Sequence, residues 1–293
     1  MANLIVIGSG VVGQATGKGF VTEGHEAVFC DINPDILSNL ENQGHKVTQP
    51  HLIEKKKDIK AFFLALPTPT VNNEIKLDFL KSAAANLGSG YLKNNDDYCI
   101  VVVRSTVPPG TTEDQLIPIL EKNSGKKAGK DFGVCMNPEY LREGSNEEDF
   151  KNPWIITIGE LDARSGQALE EIYGPRKCPI VRTSLREAEM QKYVHNIFNA
   201  CKISFFNEMR MICEKINIDS DKIFELVSKS AEGSWNQKYG IRNFGPYSGS
   251  CLPKDTTAFL SWTKKELSSD MPLLEAVINV NETLKTKNKN MSV

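Results

Sequence analysis

Short apolar segments alternate with amphipathic segments through the first 183 residues of the chain. The apolar runs predict strands near 4–7, 27–30, 61–66, 98–104, 132–136, 154–158 and 179–182. Between them, the spacing of apolar residues predicts helices up to about residue 23, over 77–90, and from 111 or 112 to 120. This alternation is typical of a parallel, doubly wound α/β sheet of the Rossmann type. We therefore predict a Rossmann domain over residues 1–183.

The second part of the chain has a different pattern. Neither proline nor glycine interrupts residues 184–215, and apolar residues recur there at helical spacing. A helix of this length must span a domain or pair with a partner. Further helices are predicted over 220–230, 255–268 and 272–285. We therefore expect residues 184–293 to form an all-helical domain that binds substrate and pairs two copies into a homodimer.

Composition narrows the functional class. The formal net charge of −2 indicates neither a nucleic-acid nor a membrane partner. The seven cysteines are scattered without a CxxC pair, as in a reduced cytoplasmic protein, and the four histidines lack metal-ligand spacing. The chain opens directly on a predicted strand, so we expect no signal peptide. Because the histidines lack metal-ligand spacing, we also expect no metal site.

A glycine-rich loop separates the first predicted strand from the first helix. The loop residues of interest are Gly8, Gly10, Val11, Val12 and Gly13. A GxGxxG pattern alone is weak, but here it lies between strand and helix, and Asp31 follows 23 residues after Gly8. Asp31 would accept a hydrogen bond from a ribose 2′-hydroxyl and repel a 2′-phosphate. The context therefore predicts a dinucleotide site that prefers NAD to NADP.

Polar residues follow several of the predicted strands. Pro67 and Thr68 follow the third strand, Thr106 the fourth and Glu139 the fifth. Because ligands bind at the carboxyl ends of such strands, we expect Thr68, Thr106 and Glu139 to face one crevice. The alternative is ordinary turn chemistry.

Glu139 and Glu143 could lie on the same face of a helical turn and transfer protons. Their spacing alone favours a solvated acidic face.

The helical part carries two further candidate sets. Lys192 and Asn196 lie four residues apart on the long predicted helix and could bind a substrate oxyanion, although spacing alone favours an exposed polar pair. Cys251 follows small residues and precedes Lys254 and Asp255. A nearby cation and a helix N-terminus would both favour its thiolate. The alternative is a buried structural cysteine.

Together, these segments resemble the UDP-glucose/GDP-mannose dehydrogenase family. The match runs from Leu4 to about Asn281, and the last four of its blocks are together highly specific. The matching blocks are GSGVVG at 8–13, PTP at 67–69, STVP at 105–108, NPEYLREG at 137–144, KYVHN at 192–196, KISFFNE at 202–208 and CLPKD at 251–255. The resemblance implies two successive NAD-dependent oxidations of a nucleotide-sugar primary alcohol to the carboxylate, and a role in polysaccharide biosynthesis.

The resemblance also implies roles for individual residues. Cys251 would capture the aldehyde as a thiohemiacetal, whose oxidation gives a thioester that water hydrolyses. Lys192, Asn196 and Asp255 would stabilise the oxyanion and position water, while Thr106 and Glu143 would hold a water for proton transfer. The residues implied for the sugar site are Glu139, Tyr140, Leu141, Lys192, Asn196 and Gly249. Those implied for NAD are Gly8, Gly10, Val11, Val12, Gly13, Asp31, Pro67, Thr68, Thr106, Glu143 and Lys254.

Two departures from the family pattern leave alternatives open. Family members usually continue into a third, Rossmann-like domain, so we expect a short form whose nucleotide pocket is incomplete or is completed by a partner chain. The loop over 233–249 lacks the Arg-Ile-Gly segment and glycine run of many relatives. One alternative is a two-electron β-hydroxyacid dehydrogenase of the 6-phosphogluconate type, which needs no nucleophile such as Cys251. The other is a non-catalytic NAD-binding protein.

Overall fold

The computed structural model of the protein describes residues 1–55, 57–142, 144–241 and 245–290. Its internal contacts divide the chain into two compact units, Met1–His195 and Asn196–Val293. This division falls within one long helix. The domain boundary expected between residues 183 and 184 stays a prediction.

A mostly parallel sheet lies at the centre of the first unit. In chain order, the strands are β1 (Asn3–Ile7), β2 (Glu26–Cys30), β3 (Lys46–Thr48), β4 (Ile59–Leu64), β5 (Thr70–Val71), β6 (Glu74–Ile75), β7 (Ile100–Val103), β8 (Gly133–Met136), β9 (Ile156–Glu160) and β10 (Ile180–Ser184). Among the described residues, eight of them form one sheet in the order β10-β9-β8-β7-β4-β1-β2-β3. Strand β7 reads IVVV and is buried throughout, as expected for a strand covered by helices on both faces.

The register of the parallel strands brings their carboxyl ends to one edge. Ile7 of β1 pairs with Cys30 of β2 and with Leu64 of β4. Leu64 in turn pairs with Val103 of β7, and Val103 pairs with Met136 of β8. The residues that follow these five strand ends therefore lie along the same edge, where ligands bind in doubly wound sheets.

Helices cover both faces of the sheet. They are α1 (Val11–Thr22), α2 (Pro34–Asn42), α3 (Asp78–Leu87), α4 (Ile117–Ser124), α5 (Asn146–Lys151), α6 (Ala163–Tyr173) and the first part of α7 (Leu185–Lys215). Single π-helical turns at Gly88–Leu92 and Thr112–Leu116 extend α3 and lead into α4. One core cluster includes Phe62 and Tyr91, and the other includes Phe20 and Phe150. The two clusters lie on opposite faces because neighbouring side chains of a strand alternate.

The predicted doubly wound sheet is confirmed, with a difference at one edge. Strand β9 pairs with β8 in the antiparallel sense, and β10 is parallel to β9. A parallel crossover needs a connection that returns along the sheet, usually a full helix. In the described part of the connection after β8, the only helix is α5, which has six residues and packs Phe150 against α1 at Gly19. The chain therefore enters β9 from the opposite end.

Several elements were not predicted from the pattern of apolar residues. Helix α2 begins after Asn33, whose side chain accepts from the Asp35 amide, and α6 begins with a capping box at Asp162. Strands β5 and β6 form a hairpin. The helical turn considered for Glu139 is absent, since the described residues 137–142 form neither helix nor strand, and Glu143 lies outside the described residues.

The second unit is helical. It contains the rest of α7 with α8 (Ser220–Ser230), α9 (Glu232–Trp235), α10 (Leu252–Leu267) and α11 (Pro272–Asn290). Buried Glu208 of α7 accepts hydrogen bonds from the amides of Leu273 and Leu274 at 2.8 and 3.2 Å. A carboxylate at this position satisfies the open amides of a helix start, so it fixes α11 against α7.

Candidate active site

The glycines of the loop after β1 serve different purposes. Gly8 has φ +91°, and an added Cβ would lie 2.5 Å from the carbonyl oxygen of Ala65. A Cβ at Gly13 would lie 1.9 Å from the carbonyl oxygen of Gly8, so the fold itself requires both glycines. Around Gly10 no described atom lies within 4 Å of an added Cβ. Internal packing therefore gives no reason for glycine at position 10, whereas close approach of a ligand does.

The start of α1 is suited to binding an anion. Gly10 is the N-cap residue, and within the described ranges no side chain caps this helix start. Its first amides are therefore available to a phosphate, which the positive end of the helix dipole also favours. Val11 is 66% exposed beside these amides, and Val12 is half-buried.

Asp31 connects the end of β2 to the glycine loop. Its Oδ2 accepts from the Ser9 amide at 2.7 Å, and its Oδ1 accepts from the Asn33 amide at 2.9 Å. The carboxylate keeps lone pairs for a further donor such as a ribose hydroxyl. Asp31 also lines a cleft of about 870 Å³ together with Ile32 and Phe79. An open helix start beside an oriented carboxylate and a partly apolar cleft fits a dinucleotide.

The loops after β4 and β7 are joined directly. The hydroxyl of Thr68 donates to the carbonyl oxygen of Thr106 at 2.9 Å. The hydroxyl of Ser105 donates to the carbonyl oxygen of Leu66 at 2.7 Å. Pro67 lies exposed between the two bonded residues of the β4 loop. The structure thus brings Pro67, Thr68 and Thr106 together at the ligand-binding edge.

Glu139 and Lys192 form a buried ion pair. The Lys192 ammonium lies 3.0 Å from Glu139 Oε1 and donates to the Glu139 carbonyl oxygen at 2.5 Å. Glu139 Oε2 accepts from the Leu141 amide at 2.6 Å, so both carboxylate oxygens are engaged. Lys192 is only 5% exposed. Removing either charge would leave the other buried without its partner, which is costly.

Tyr140 attaches the same loop to α7. Its hydroxyl donates to Gln191 Oε1 at 2.7 Å, and its ring lies 4.8 Å from that of His195. Burial raises the pKa of Tyr140. Burial and, secondarily, the Lys192 charge lower the pKa of His195, which favours a neutral imidazole. Tyr140 is therefore a neutral residue whose hydroxyl orients α7.

A buried arginine supports this loop from behind, and sequence reasoning missed it. Arg104 at the end of β7 donates to Thr16 Oγ1 at 3.1 Å and to Tyr173 Oη at 3.1 Å. It also donates to the carbonyl and side-chain oxygens of Asn137, two residues before Glu139. The available signal was a cation directly after an apolar strand. Gln191 and Glu189 were missed as well.

In the second unit, Cys251 stands at the start of α10. It occupies the N-cap position, it is exposed, and its carbonyl oxygen accepts from the Asp255 amide at 2.8 Å. The Lys254 ammonium lies 3.0 Å from Asp255 Oδ1. The helix begins at Leu252, three residues before its predicted start, because a proline is tolerated in a first helical turn. The exposure of Cys251 contradicts the alternative of a buried structural thiol.

The turn before Cys251 has a special backbone. Gly249 has φ +86°, a conformation that favours glycine. The side-chain Nδ2 of Asn281 donates to the Tyr247 carbonyl oxygen at 3.1 Å and so connects the turn to α11. Residues 242–244 of the preceding loop lie outside the described residues.

Asn196, the other predicted oxyanion residue, is exposed on α7.

Family models match both parts of the chain. The NAD binding domain of the UDP-glucose/GDP-mannose dehydrogenase family matches residues 53–177, and the central domain of that family matches residues 186–283. The chain belongs to the UDP-glucose/GDP-mannose dehydrogenase family. The predicted resemblance and the prediction of NAD as cofactor are thereby confirmed.

Individual members of the family are similar over nearly the whole chain. UDP-glucose 6-dehydrogenase AglM of Haloferax volcanii is 36% identical over 95% of this chain and 69% of its own length. GDP-mannose 6-dehydrogenase of Azotobacter vinelandii is 34% identical over 94% of this chain and 67% of its own length. The crystal structure of a ternary complex of GDP-mannose dehydrogenase from Pseudomonas aeruginosa has a TM-score of 0.89 at 30% identity, covering 98% of this chain and 70% of that one. The structure of a UDP-glucose dehydrogenase from Pyrobaculum islandicum has a TM-score of 0.72 at 33% identity, covering 97% and 68%.

Across the described residues, no helix is both long and apolar enough to cross a membrane. In the same ranges, no group of three or more His, Cys, Asp or Glu residues could hold a metal ion.

Proposed function

We propose that this family member catalyses the NAD-dependent, four-electron oxidation of a nucleotide-sugar primary alcohol to the uronic acid, as a UDP-glucose 6-dehydrogenase does. The observation that carries the proposal is Cys251, an exposed thiol at the N-cap of α10 within the CLPKD block. A two-electron dehydrogenase needs no nucleophile at this point. Similar proteins are named for UDP-glucose and for GDP-mannose, so both nucleotide sugars belong in the first assay.

NAD would be held chiefly by the first unit. The α1 amides around Gly10 would bind the pyrophosphate, and Asp31 would bind the adenosine ribose. Pro67, Thr68 and Thr106 would line the cofactor from the adjoining strand ends, and Lys254 would reach toward it. NAD supplies the hydride acceptor in each oxidation.

In the first oxidation the alcohol carbon loses hydride and the hydroxyl loses a proton. A water held by Thr106 and Glu143 takes this proton in our proposal. Glu139, Tyr140, Leu141 and Gly249 line the sugar. The hydrogen bond from the Thr68 hydroxyl to the Thr106 carbonyl oxygen supports this role, because it fixes the backbone at Thr106.

In the second oxidation Cys251 makes the carbonyl carbon tetrahedral. Its sulfur bonds to the aldehyde carbon, and the carbonyl oxygen becomes an oxyanion that Lys192 and Asn196 stabilise. Loss of hydride from this adduct leaves a thioester. Asp255 positions a water whose oxygen bonds to the same carbon while the carbon–sulfur bond breaks. The products are the carboxylate and the free Cys251 thiol.

The test measures NADH formed per nucleotide sugar consumed, with UDP-glucose and GDP-mannose as substrates. We expect a ratio of two for the unmodified protein. Cys251→Ser should make no carboxylate but still bind NAD. Cys201→Ser is the matched control, since Cys201 is also exposed. A ratio of one would favour the β-hydroxyacid alternative, no NADH would favour the non-catalytic one, and normal acid production by Cys251→Ser would refute the thioester route.

We also propose that two copies form a homodimer through the helical part. The α7 side chains of Ile197, Phe198, Ile203 and Met211 are 56–62% exposed. Exposed apolar residues on this scale are typical of an interaction surface. Light scattering should give about twice the 32.6 kDa mass of one chain, and a single-chain mass at all concentrations would contradict pairing.

A further inference from the structure

A buried carboxylate on α7 holds the turn that follows β7. Glu189 is 0% exposed. Its Oε2 accepts from the Gly110 amide at 2.5 Å, and its Oε1 accepts from the Thr112 amide at 2.8 Å. Both amides lie at the start of the helical segment Thr112–Leu116. The first N–H groups of a helix have no backbone acceptor within that helix. Glu189 supplies those acceptors from another part of the chain.

Helix α7 holds the same turn from the solvent side. Arg186, three residues before Glu189, donates to Glu113 and to Asp114 at 2.7 Å each. Gly110 has φ +92°, and a Cβ there would lie 2.6 Å from an Asp114 carboxylate oxygen. The exposed ion pairs contribute little individually. The two buried hydrogen bonds that the Glu189 carboxylate accepts from backbone amides are therefore the main constraint on the turn.

The same face of α7 carries Lys192. Residues three apart on a helix are neighbours, so Glu189 and Lys192 project from the same side of α7. Lys192 binds Glu139 at the end of β8, whereas the turn held by Glu189 continues the loop that begins with Thr106 at the end of β7. One rigid helical segment therefore contacts both loops.

We propose that Glu189 is a positioning residue, which holds the Thr106 loop in register with Lys192 through the Gly110 and Thr112 amides. The inference rests on the proposed function, because it assigns Glu189 to the geometry of that reaction. A carboxylate suits this role since each oxygen accepts from one amide. Glutamine offers one oxygen only, and its amino group would face the second amide.

The experiment compares Glu189→Gln with Glu187→Gln. Glu187 lies two residues earlier on α7, is exposed, and accepts from Thr183 and Ser184 instead. Amide hydrogen exchange is followed at Gly110 and Thr112, together with NAD affinity, kcat, KM and the pH profile of turnover. Glu189→Asp, which keeps the charge but shortens the reach, is the second variant if Glu189→Gln does not fold.

We expect faster exchange at both amides in Glu189→Gln and a kcat reduced roughly tenfold or more, since small misplacements of reacting groups are costly. NAD affinity, KM and the pH profile should stay close to those of Glu187→Gln. Unchanged kcat in folded variant protein would overturn the inference, as would a shifted pH profile, because Glu189 would then take part in proton transfer. If the unmodified protein oxidises no nucleotide sugar, the proposed function fails, and unchanged exchange at Gly110 and Thr112 would separately refute the positioning contact.

Discussion

The Gly10→Ala variant tests whether glycine at position 10 is required for ligand binding or for folding. Gly10 has φ −72° and ψ −165°, an extended conformation that alanine adopts without strain, and an added Cβ meets no described atom within 4 Å. Compared with glycine, alanine reduces the conformational entropy of the unfolded chain, and this stabilises the folded state by about 0.4–1 kcal/mol. It is also a poorer N-cap residue than glycine, by a similar amount. The net change in the free energy of unfolding should therefore lie within about 1 kcal/mol of zero.

The same methyl group should interfere with NAD. A pyrophosphate that bonds to the α1 amides must approach them to about 2.9 Å, and the alanine methyl would occupy part of that approach. Loss of one charge-assisted hydrogen bond costs about 1.5–3 kcal/mol, or roughly a tenfold to hundredfold increase in Kd.

The assay pairs urea unfolding with NAD titration followed by protein fluorescence. Gly8→Ala is the control for a glycine that the fold requires, and it should lower the free energy of unfolding because its Cβ would lie 2.5 Å from the Ala65 carbonyl oxygen. Unchanged NAD affinity in a stable Gly10→Ala protein would refute the reasoning. So would a Gly10→Ala protein as unstable as Gly8→Ala.

Three further predictions concern single side chains. Asp31→Asn should narrow the preference for NAD over NADP, measured as the ratio of the two Kd values; equal affinities in the unmodified protein would contradict the role of Asp31. Arg104→Met should lower the free energy of unfolding by about 2–4 kcal/mol, because Asn137 loses a buried donor; a change under about 1 kcal/mol in urea unfolding would argue against that bond. The Arg142 hydrogen bond lowers the pKa of Asp149 to about 2, so its stabilisation is full above about pH 4 and is lost as the pH falls toward 2. Asp149→Asn should remove this part of the acid dependence of unfolding, and an unchanged dependence would contradict the pairing.

The local signals predicted most of the first unit well. Apolar runs marked the central strands because each is buried on both faces. The glycine loop was recognisable because its pattern occupies six consecutive residues between a predicted strand and a predicted helix. The helix over residues 220–230 was predicted at its observed ends, Ser220 and Ser230. Helices α2 and α6 were missed, although Asn33 and Asp162 carry capping signals at their starts.

The sequence by itself determined the family, the cofactor class and the residue types available for chemistry, because these depend on short motifs and on periodicity along the chain. Only the tertiary structure decided which charges are buried and what each of them contacts. Arg104 and Thr16 lie 88 residues apart, Glu189 and Gly110 lie 79 apart, and Lys192 and Glu139 lie 53 apart. No local pattern encodes such pairs, since a charged residue looks the same in sequence whether it is solvated or buried. The cost of burying a charge is offset only when folding brings its partners within about 3 Å, and that distance is a property of the packed structure.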